Sequence, residues 1–426
     1  MYYRKSLIVA TSISLFLFSF SSAGRPEKLN SAFSIKTKKD FEKDSKELKS
    51  YTYKKTKIAE ALDTYFENAI DDNEIVGAGV SIVNGDSIVF SGGFGKRSIL
   101  LEDSIDEQTV FRLGSLSKGF AGVLSSMFVD KELLSWDSKV EDYVEGFRLG
   151  SFENSSKITL RNIISHTSGS PYHSYSDLVE AGMDLDEIAK RFKRVVPVAE
   201  PGELYSYQNA IFALSGTLIE KASGHSFSDL LKEELFSPLT MITPSSDYTS
   251  LLANDNIAQP HLTSYNGWRI RKINAKYFNA IAAGGINASA LDMAKWMRFL
   301  LGHNPEIASR KVLEDVFIPE VEIEGKNNYY QQWPGHLTSK YAHGWRIHEF
   351  QNSENDQIEI MMHHGGTVSS YRNEIALFPN EDLGITVLFN SNTKLAKTVI
   401  PELHQIIREI LIAPVNLDTD VLLAEK

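Results

Sequence analysis

Phe111-Arg112-Leu113-Gly114-Ser115-Leu116-Ser117-Lys118 is the stretch on which the reading of this chain turns. Arg112-Leu113-Gly114 has turn character. The residues that follow (Phe120, Val123, Leu124, Met127, Phe128) carry the apolar spacing of a buried helix. Ser115 and Lys118 lie three apart, so on a helix their side chains face the same way, one turn apart. A serine at a helix N-terminus gains from the helix dipole, which stabilises developing negative charge and orients backbone N–H groups. A lysine is a useful base only when neutral, and burial in an apolar wall lowers its pKa toward that state. The octapeptide thus has the makings of a nucleophile and its base.

Alone, Ser-x-x-Lys is a weak signal, since about two matches are expected by chance in a chain of this length. Ser391-Asn392-Thr393-Lys394 is another copy; it has no partner motif after it and reads as surface capping of the last helix. Downstream of the first copy come Tyr207-Gln208-Asn209 and His364-Gly365-Gly366. Tyr-x-Asn also occurs at Tyr277 and Tyr371, but only Tyr207 sits behind Pro201-Gly202 and ahead of an apolar helix. Glycines at 365 and 366 would let a substrate lie against a strand edge with no side chain in the way. His364 beside them could donate to an oxygen or orient the tyrosine. A metal site is the competing reading of the His363-His364 pair, but the chain has neither a His-Glu-x-x-His pattern nor a thiolate, so no cofactor is expected.

Composition narrows the class. The 426 residues are 42% hydrophobic and 23% charged, which is ordinary for a globular protein. A net charge of -11 argues against a nucleic-acid partner. The N-terminus reads as an export signal: Arg4 and Lys5, an apolar run from Leu7 to Phe20, then Ser21-Ser22-Ala23, with cleavage expected after Ala23. The run is short for a bilayer span, so no stable membrane span is expected once the signal is removed. Absence of cysteine removes a lipid anchor, disulfides and a thiol nucleophile together. Residues 24–57 hold eleven Lys and Arg against five Asp and Glu, and are expected to form a disordered or loosely helical basic linker.

The body opens with a helix carrying Ile58, Leu62, Phe66 and Ile70 on one face. Gly77 to Val83 and Ser87 to Phe90 read as strands joined at Asn84-Gly85. Near the other end, Ile358 to Met362, Glu374 to Phe378 and Ile385 to Phe389 read as strands, followed by a helix carrying Val399, Leu403, Ile407 and Ile410. The middle is mostly helical. Ala210 to Ala222 ends at Gly224, Ser226 caps a helix that stops at Pro238, and Ser289 with Asp292 resembles a capping box. Strands at both ends, each beside a helix, predict one antiparallel sheet closed by the two chain ends.

With these segments in place, the chain resembles the serine hydrolases that include class C β-lactamases, low-molecular-weight penicillin-binding proteins and related esterases and D-aminopeptidases. The likeness runs from Ile58 to Leu411. It rests on residues 111–118, Ser165-His166-Thr167-Ser168-Gly169, Pro201-Gly202 through Asn209, Ala283-Gly284-Gly285 and His364-Gly365-Gly366, in that order. The resemblance implies an α/β (α+β) fold of the β-lactamase/transpeptidase type: an antiparallel sheet from both chain ends flanked by helices, plus a helical lobe over about residues 119–280 within a catalytic domain at 58–412, followed by a tail at 413–426. It implies that Ser115 is acylated, that Lys118 and Tyr207 form the base system, and that Asn209 hydrogen-bonds the acyl side of the substrate. His364 stands where many members carry the lysine of Lys-Thr-Gly. Ser115 and Thr367 would supply oxyanion N–H groups, with Gly365 and Gly366 beside them. His166 is expected to be structural, holding a turn.

Two departures bear on the substrate. His364 replaces a permanent cation and Gly365 replaces a hydroxyl residue, and a mostly neutral imidazole holds a carboxylate less well near pH 7. The first expectation is therefore a periplasmic or secreted hydrolase of β-lactams or D-Ala-type cell-wall amides, taking a small-molecule or peptidoglycan-derived acyl substrate. The alternatives are a carboxylesterase or D-aminopeptidase on the same scaffold, or a non-catalytic envelope-binding protein. The joint presence of Ser115, Lys118 and Tyr207 speaks against the last.

Overall fold

The computed structural model describes residues 38–352 and 356–416; the expected signal peptide, the first part of the basic linker and the end of the tail lie outside the described residues. The chain divides into a unit of residues 1–48 and a compact unit of residues 49–426, and the architecture below is that of the second.

The first helix runs from Lys38 to Asp71, twenty residues longer at its start than the apolar face that announced it. No glycine or proline interrupts this span, and Lys, Glu, Ala and Leu favour helix. The basic segment is thus helical from Lys38 onward. Among the described residues no helix is long and apolar enough to cross a membrane.

The sheet has eight strands in the order β2-β1-β12-β11-β10-β9-β8-β7. Strands β1 (Gly77–Asn84) and β2 (Ser87–Gly95) form the hairpin read at Asn84-Gly85. Two short ribbons lie in the middle of the chain: β3 (Val110–Arg112) pairs β6 (Asn287–Ser289), and β4 (His261–Ser264) pairs β5 (Gly267–Ile270). The C-terminal half adds β7 (Val321–Glu322), β8 (His336–Tyr341), β9 (Arg346–Gln351), β10 (Ile358–Val368), β11 (Tyr371–Phe378) and β12 (Leu383–Phe389). Strand β12 lies antiparallel to β1, from Ala78↔Phe389 to Asn84↔Leu383, so the two chain ends do close one sheet. Strands β7 to β9 extend it beyond the part legible from the ends.

Side-chain alternation sorts the sheet into two faces. Ala78, Val80, Ile82, Ile385 and Val387 pack with Ile58, Leu62 and Phe66 of the first helix and with Val399, Leu403 and Ile407 of the last helix, Val399–Ile412. Val83 and Leu388 face the other way, into a core shared with the helical lobe. Two helices of that lobe position the site: Ser117–Asp130 and Asn209–Ser223. The second stops at Gly224, Ser226 caps the next helix through the Asp229 N–H, and Ser289 with Asp292 forms a full capping box. The second Ser-x-x-Lys copy departs from expectation. Ser391 is buried and bridges His261, and the last helix begins only at Val399, so this copy is interior packing and not a surface cap.

Candidate active site

The turn that carries Ser115 is wedged between three elements. Gly114 has φ +57°, and a side chain there would fall 2.9 Å from the main chain of Thr367 on β10, so only glycine fits. From β11, the Asn373 amide donates to the carbonyls of Arg112 (2.9 Å) and Leu113 (3.1 Å). From the lobe, the Ile286 N–H donates to the Ser117 hydroxyl at 3.0 Å. Residues 114–116 form a 3-10 turn and the α-helix starts at Ser117, so Ser115 sits two residues before the helix proper. It is partly exposed, while its neighbours from Phe111 to Phe120 are buried. Arg112 is also buried; it donates to the carbonyls of Asn274 (2.8 Å) and Lys276 (2.5 Å), and burial draws its pKa down to about 10.

Lys118 is fully buried, and its amine reaches three oxygens: Asn209 Oδ1 at 2.8 Å, the Ala283 carbonyl at 2.7 Å and Ser115 Oγ at 3.3 Å. Burial holds its pKa well below the usual lysine range, and the positive charge of Arg346 pushes the same way. A neutral amine has two N–H groups and one lone pair. The two carbonyl-type oxygens take the two N–H groups, which leaves the lone pair for the proton of Ser115. The contact set therefore fits an amine that acts as an acceptor toward the serine.

Tyr207 completes the group: its hydroxyl donates to Ser115 Oγ at 2.9 Å. Burial pushes its pKa up to about 12, so it is a phenol at neutral pH. His166 holds it in place, in the left-handed region at φ +61°. Its carbonyl accepts from the Ser206 N–H (2.8 Å), its Nδ1 accepts from the Gln208 N–H (3.1 Å), and its ring lies tilted against that of Tyr207, 4.2 Å from centre to centre. His166 makes no hydrogen bond to Ser115, so it braces the turn, as expected. Asn209 is buried, and both ends of its amide are engaged: Oδ1 by Lys118 and Nδ2 by the Tyr277 hydroxyl at 3.1 Å. It orients the lysine first, and a substrate would have to share it.

The two glycines after His364 serve a purpose different from the one expected. A side chain at Gly366 would collide with the Leu113 carbonyl oxygen, and one at Gly365 would fall 2.5 Å from the Tyr329 hydroxyl and 2.8 Å from the Glu374 carboxylate. Protein, not substrate, fills both spaces: β10 lies directly on the turn that carries Ser115. His364 is buried. Its Nε2 pairs with the Tyr341 hydroxyl (3.0 Å) and its Nδ1 with the Gly365 carbonyl (2.8 Å), and no hydrogen bond joins it to Tyr207. Burial first, then Arg346 and Lys118, hold its pKa well below the usual histidine range, so it carries no charge near pH 7. Thr367 is exposed, and its hydroxyl accepts from Arg372 at 3.1 Å.

Ser115, Lys118, Tyr207 and Asn209 are thus brought into one hydrogen-bonded group, with His364 and Thr367 on the adjoining strand. Sequence reasoning noted Ala283 and Tyr277 without giving them the role of holding Lys118 and Asn209; it missed Tyr341, which holds His364, and Arg346 at the start of β9. A polar-apolar alternation at Arg346-Ile347-His348 was the available signal for β9. Behind Gly365 runs a buried chain of contacts: Glu374 accepts from Tyr329 (2.8 Å), pairs with His363 (2.8 Å) and lies 3.3 Å from Arg372. Among the described residues no cluster of three or more His, Cys, Asp or Glu could hold a metal ion.

Comparison with known proteins agrees with this fold. The sequence profile described as Beta-lactamase matches residues 62–405. "Unguisins hydrolase ungD'" of Aspergillus campestris is 26% identical over 341 residues, covering 77% of this chain and 60% of that protein. "Protein flp" of Staphylococcus aureus is 22% identical over 348 residues, covering 80% and 65%. The chain thus spans less than two thirds of the length of these relatives. Among solved structures, an octameric penicillin-binding protein homologue from Pyrococcus abyssi superposes with a TM-score of 0.69 at 23% identity, over 82% of this chain and 77% of that one. EstCE1, a hydrolase with promiscuous acyltransferase activity, superposes with a TM-score of 0.68 at 17% identity, over 84% and 99%. The fold is shared with both, and the profile match over most of the sequence makes the chain a member of the Beta-lactamase family of serine hydrolases.

Proposed function

We propose that the protein is an exported serine acyl hydrolase that cleaves β-lactams or D-Ala-type cell-wall amides through an acyl-Ser115 intermediate. The observation that carries this reading is the position of Ser115 Oγ, held between the Tyr207 hydroxyl at 2.9 Å and the buried Lys118 amine at 3.3 Å. Lys118 takes the serine proton as Oγ bonds to the substrate carbonyl carbon. The N–H groups of Ser115 and Thr367 face the oxyanion. Tyr207 gives its proton to the departing group as the acyl bond breaks, and recovers one from Lys118. Water then attacks the acyl-serine and the same groups run in reverse. Export is supported by Arg4, Lys5, the apolar run to Phe20 and the small residues ending at Ala23.

A carboxylesterase is the second reading, favoured by one observation. His364, at the position of the family's cation, is uncharged and tied to Tyr341.

The test compares wild type with Ser115→Ala on a chromogenic cephalosporin and a p-nitrophenyl ester, and weighs both proteins after exposure to a penicillin. An adduct and turnover in wild type alone are expected. Ester turnover without cephalosporin turnover selects the second reading. Turnover surviving Ser115→Ala means the nucleophile is misassigned, and a wild type with neither adduct nor turnover is a binding protein. For export, the mature chain should begin at Gly24.

A further inference from the structure

We propose that Arg346 is an anion-binding residue of the active-site cleft, holding a carboxylate on the leaving-group side of the substrate. Arg346 opens β9, and its register partner His363 is the last residue of β10 to pair with that strand. From His364 to Val368 the edge of β10 continues without β9, so the guanidinium stands where the strand edge opens. Its central carbon lies 4.9 Å from the centre of the Tyr330 ring and 6.0 Å from that of Tyr207, whose hydroxyl touches Ser115.

Apart from these ring faces, the guanidinium lacks a partner for its charge. Its Nε and Nη1 are buried without a hydrogen-bond partner, and among the described residues no carboxylate lies within ion-pair distance of it. The nearby buried carboxylate, Glu374, is engaged by Arg372, Tyr329 and His363. The other charged and titratable groups that feel Arg346 are Lys118, His166, His348, His363, His364 and a ring of tyrosines, none of which offers an anion at neutral pH. An arginine does not escape by losing its proton, and a buried guanidinium with idle donors is costly until a partner arrives. Its planar fork matches a carboxylate better than any other anion-binding side chain does. The leaving-group side follows from its place beside Tyr207, the proton donor to that group. This inference rests on the acyl-serine reading and moves the anchoring cation from the His364 position to the neighbouring strand.

The test uses acetate esters of 3-hydroxybenzoate and of phenol, which share an acyl group and differ in the leaving-group carboxylate. In Arg346→Met, the ratio of kcat/KM for the carboxylate ester to that for phenyl acetate should fall by about 30-fold or more; loss of this charge also acts on Lys118, but that effect is common to both esters and cancels in the ratio. Arg346→Lys should lie between. Equal losses on both esters, or none on the charged one, overturn the proposal. Should Arg346→Met not fold, the wild type decides: 3-hydroxybenzoate should inhibit phenyl acetate turnover at least about tenfold better than 3-hydroxybenzamide, and salt should erode the difference. Equal inhibition overturns the assignment. Phenyl acetate turnover that persists in Ser115→Ala would sink the acyl-serine reading itself, separately from any result at Arg346.

Discussion

Asn209 lies closer to the amine of Lys118, at 2.8 Å, than Ser115 does at 3.3 Å. The neutral amide next to the lysine is what keeps that pocket free of negative charge. Asn209→Asp would place a carboxylate there in the same volume. An opposite charge at this range raises a lysine pKa by about 1–3 units. The amine would then hold its proton, and the acid limb of the pH profile of kcat/KM should move up by a similar amount. Asn209→Ala should lower activity without that upward movement. The check is a pair of pH-rate profiles on one ester.

Tyr207 is a phenol up to about pH 12, so it is not the group whose ionisation switches activity on. On the proposed mechanism that group is Lys118, which must lose its proton, so activity should appear as pH rises through its depressed pKa. Tyr207→Phe should lower kcat by about 10²–10⁴ through loss of proton transfer, yet leave the acid limb where it was. Thermal stability should change by about 1 kcal/mol, the worth of one hydrogen bond. A shifted acid limb in the variant would contradict this division of roles.

Glu374 gives a second pH dependence, of opposite sense and unrelated to chemistry at Ser115. Burial is the main cause that raises its pKa from 4.5 to about 7. Between those values the folded state keeps a proton that the unfolded state releases, so its contribution is greatest at low pH and declines as pH rises. The loss amounts to about 3 kcal/mol across the window. Glu374→Gln should remove it, so the stability difference between variant and wild type should grow in favour of the variant from pH 5 to pH 8. Urea denaturation at both pH values measures this.

Gly365→Thr would restore the residue found in the Lys-Thr-Gly pattern, yet it should fail. The added atoms meet the Tyr329 hydroxyl and the Glu374 carboxylate. Overpacking of this kind costs about 1–3 kcal/mol. Gly365→Thr with Tyr329→Ala should recover part of the loss, and chemical denaturation of both proteins tests the pair.

Much of the site was legible because its chemistry is local in sequence. Ser115 and Lys118 are set by an i,i+3 spacing, Tyr207 by its place before an apolar helix, and the hairpins and caps by turn residues. What was illegible joins segments far apart in the chain. The Ala283 carbonyl that holds Lys118 is a backbone atom with no sequence signature. The bond from Tyr341 to His364 depends on a strand pairing that no local period announces. Gly365 was read for its freedom toward a substrate, whereas its neighbours on β11 and at Tyr329 decide it. The first helix began early because propensity alone sustains it where the apolar face has run out.

The gap between the serine turn and the strand beside it is set by main chain against main chain, at Gly114 facing Thr367 and at Gly366 facing Leu113. A clearance fixed by atoms that every residue shares does not change when side chains around it are exchanged. Substitutions in the surrounding core should therefore alter how long the protein survives heat while leaving the seat of Ser115 against the strand unchanged.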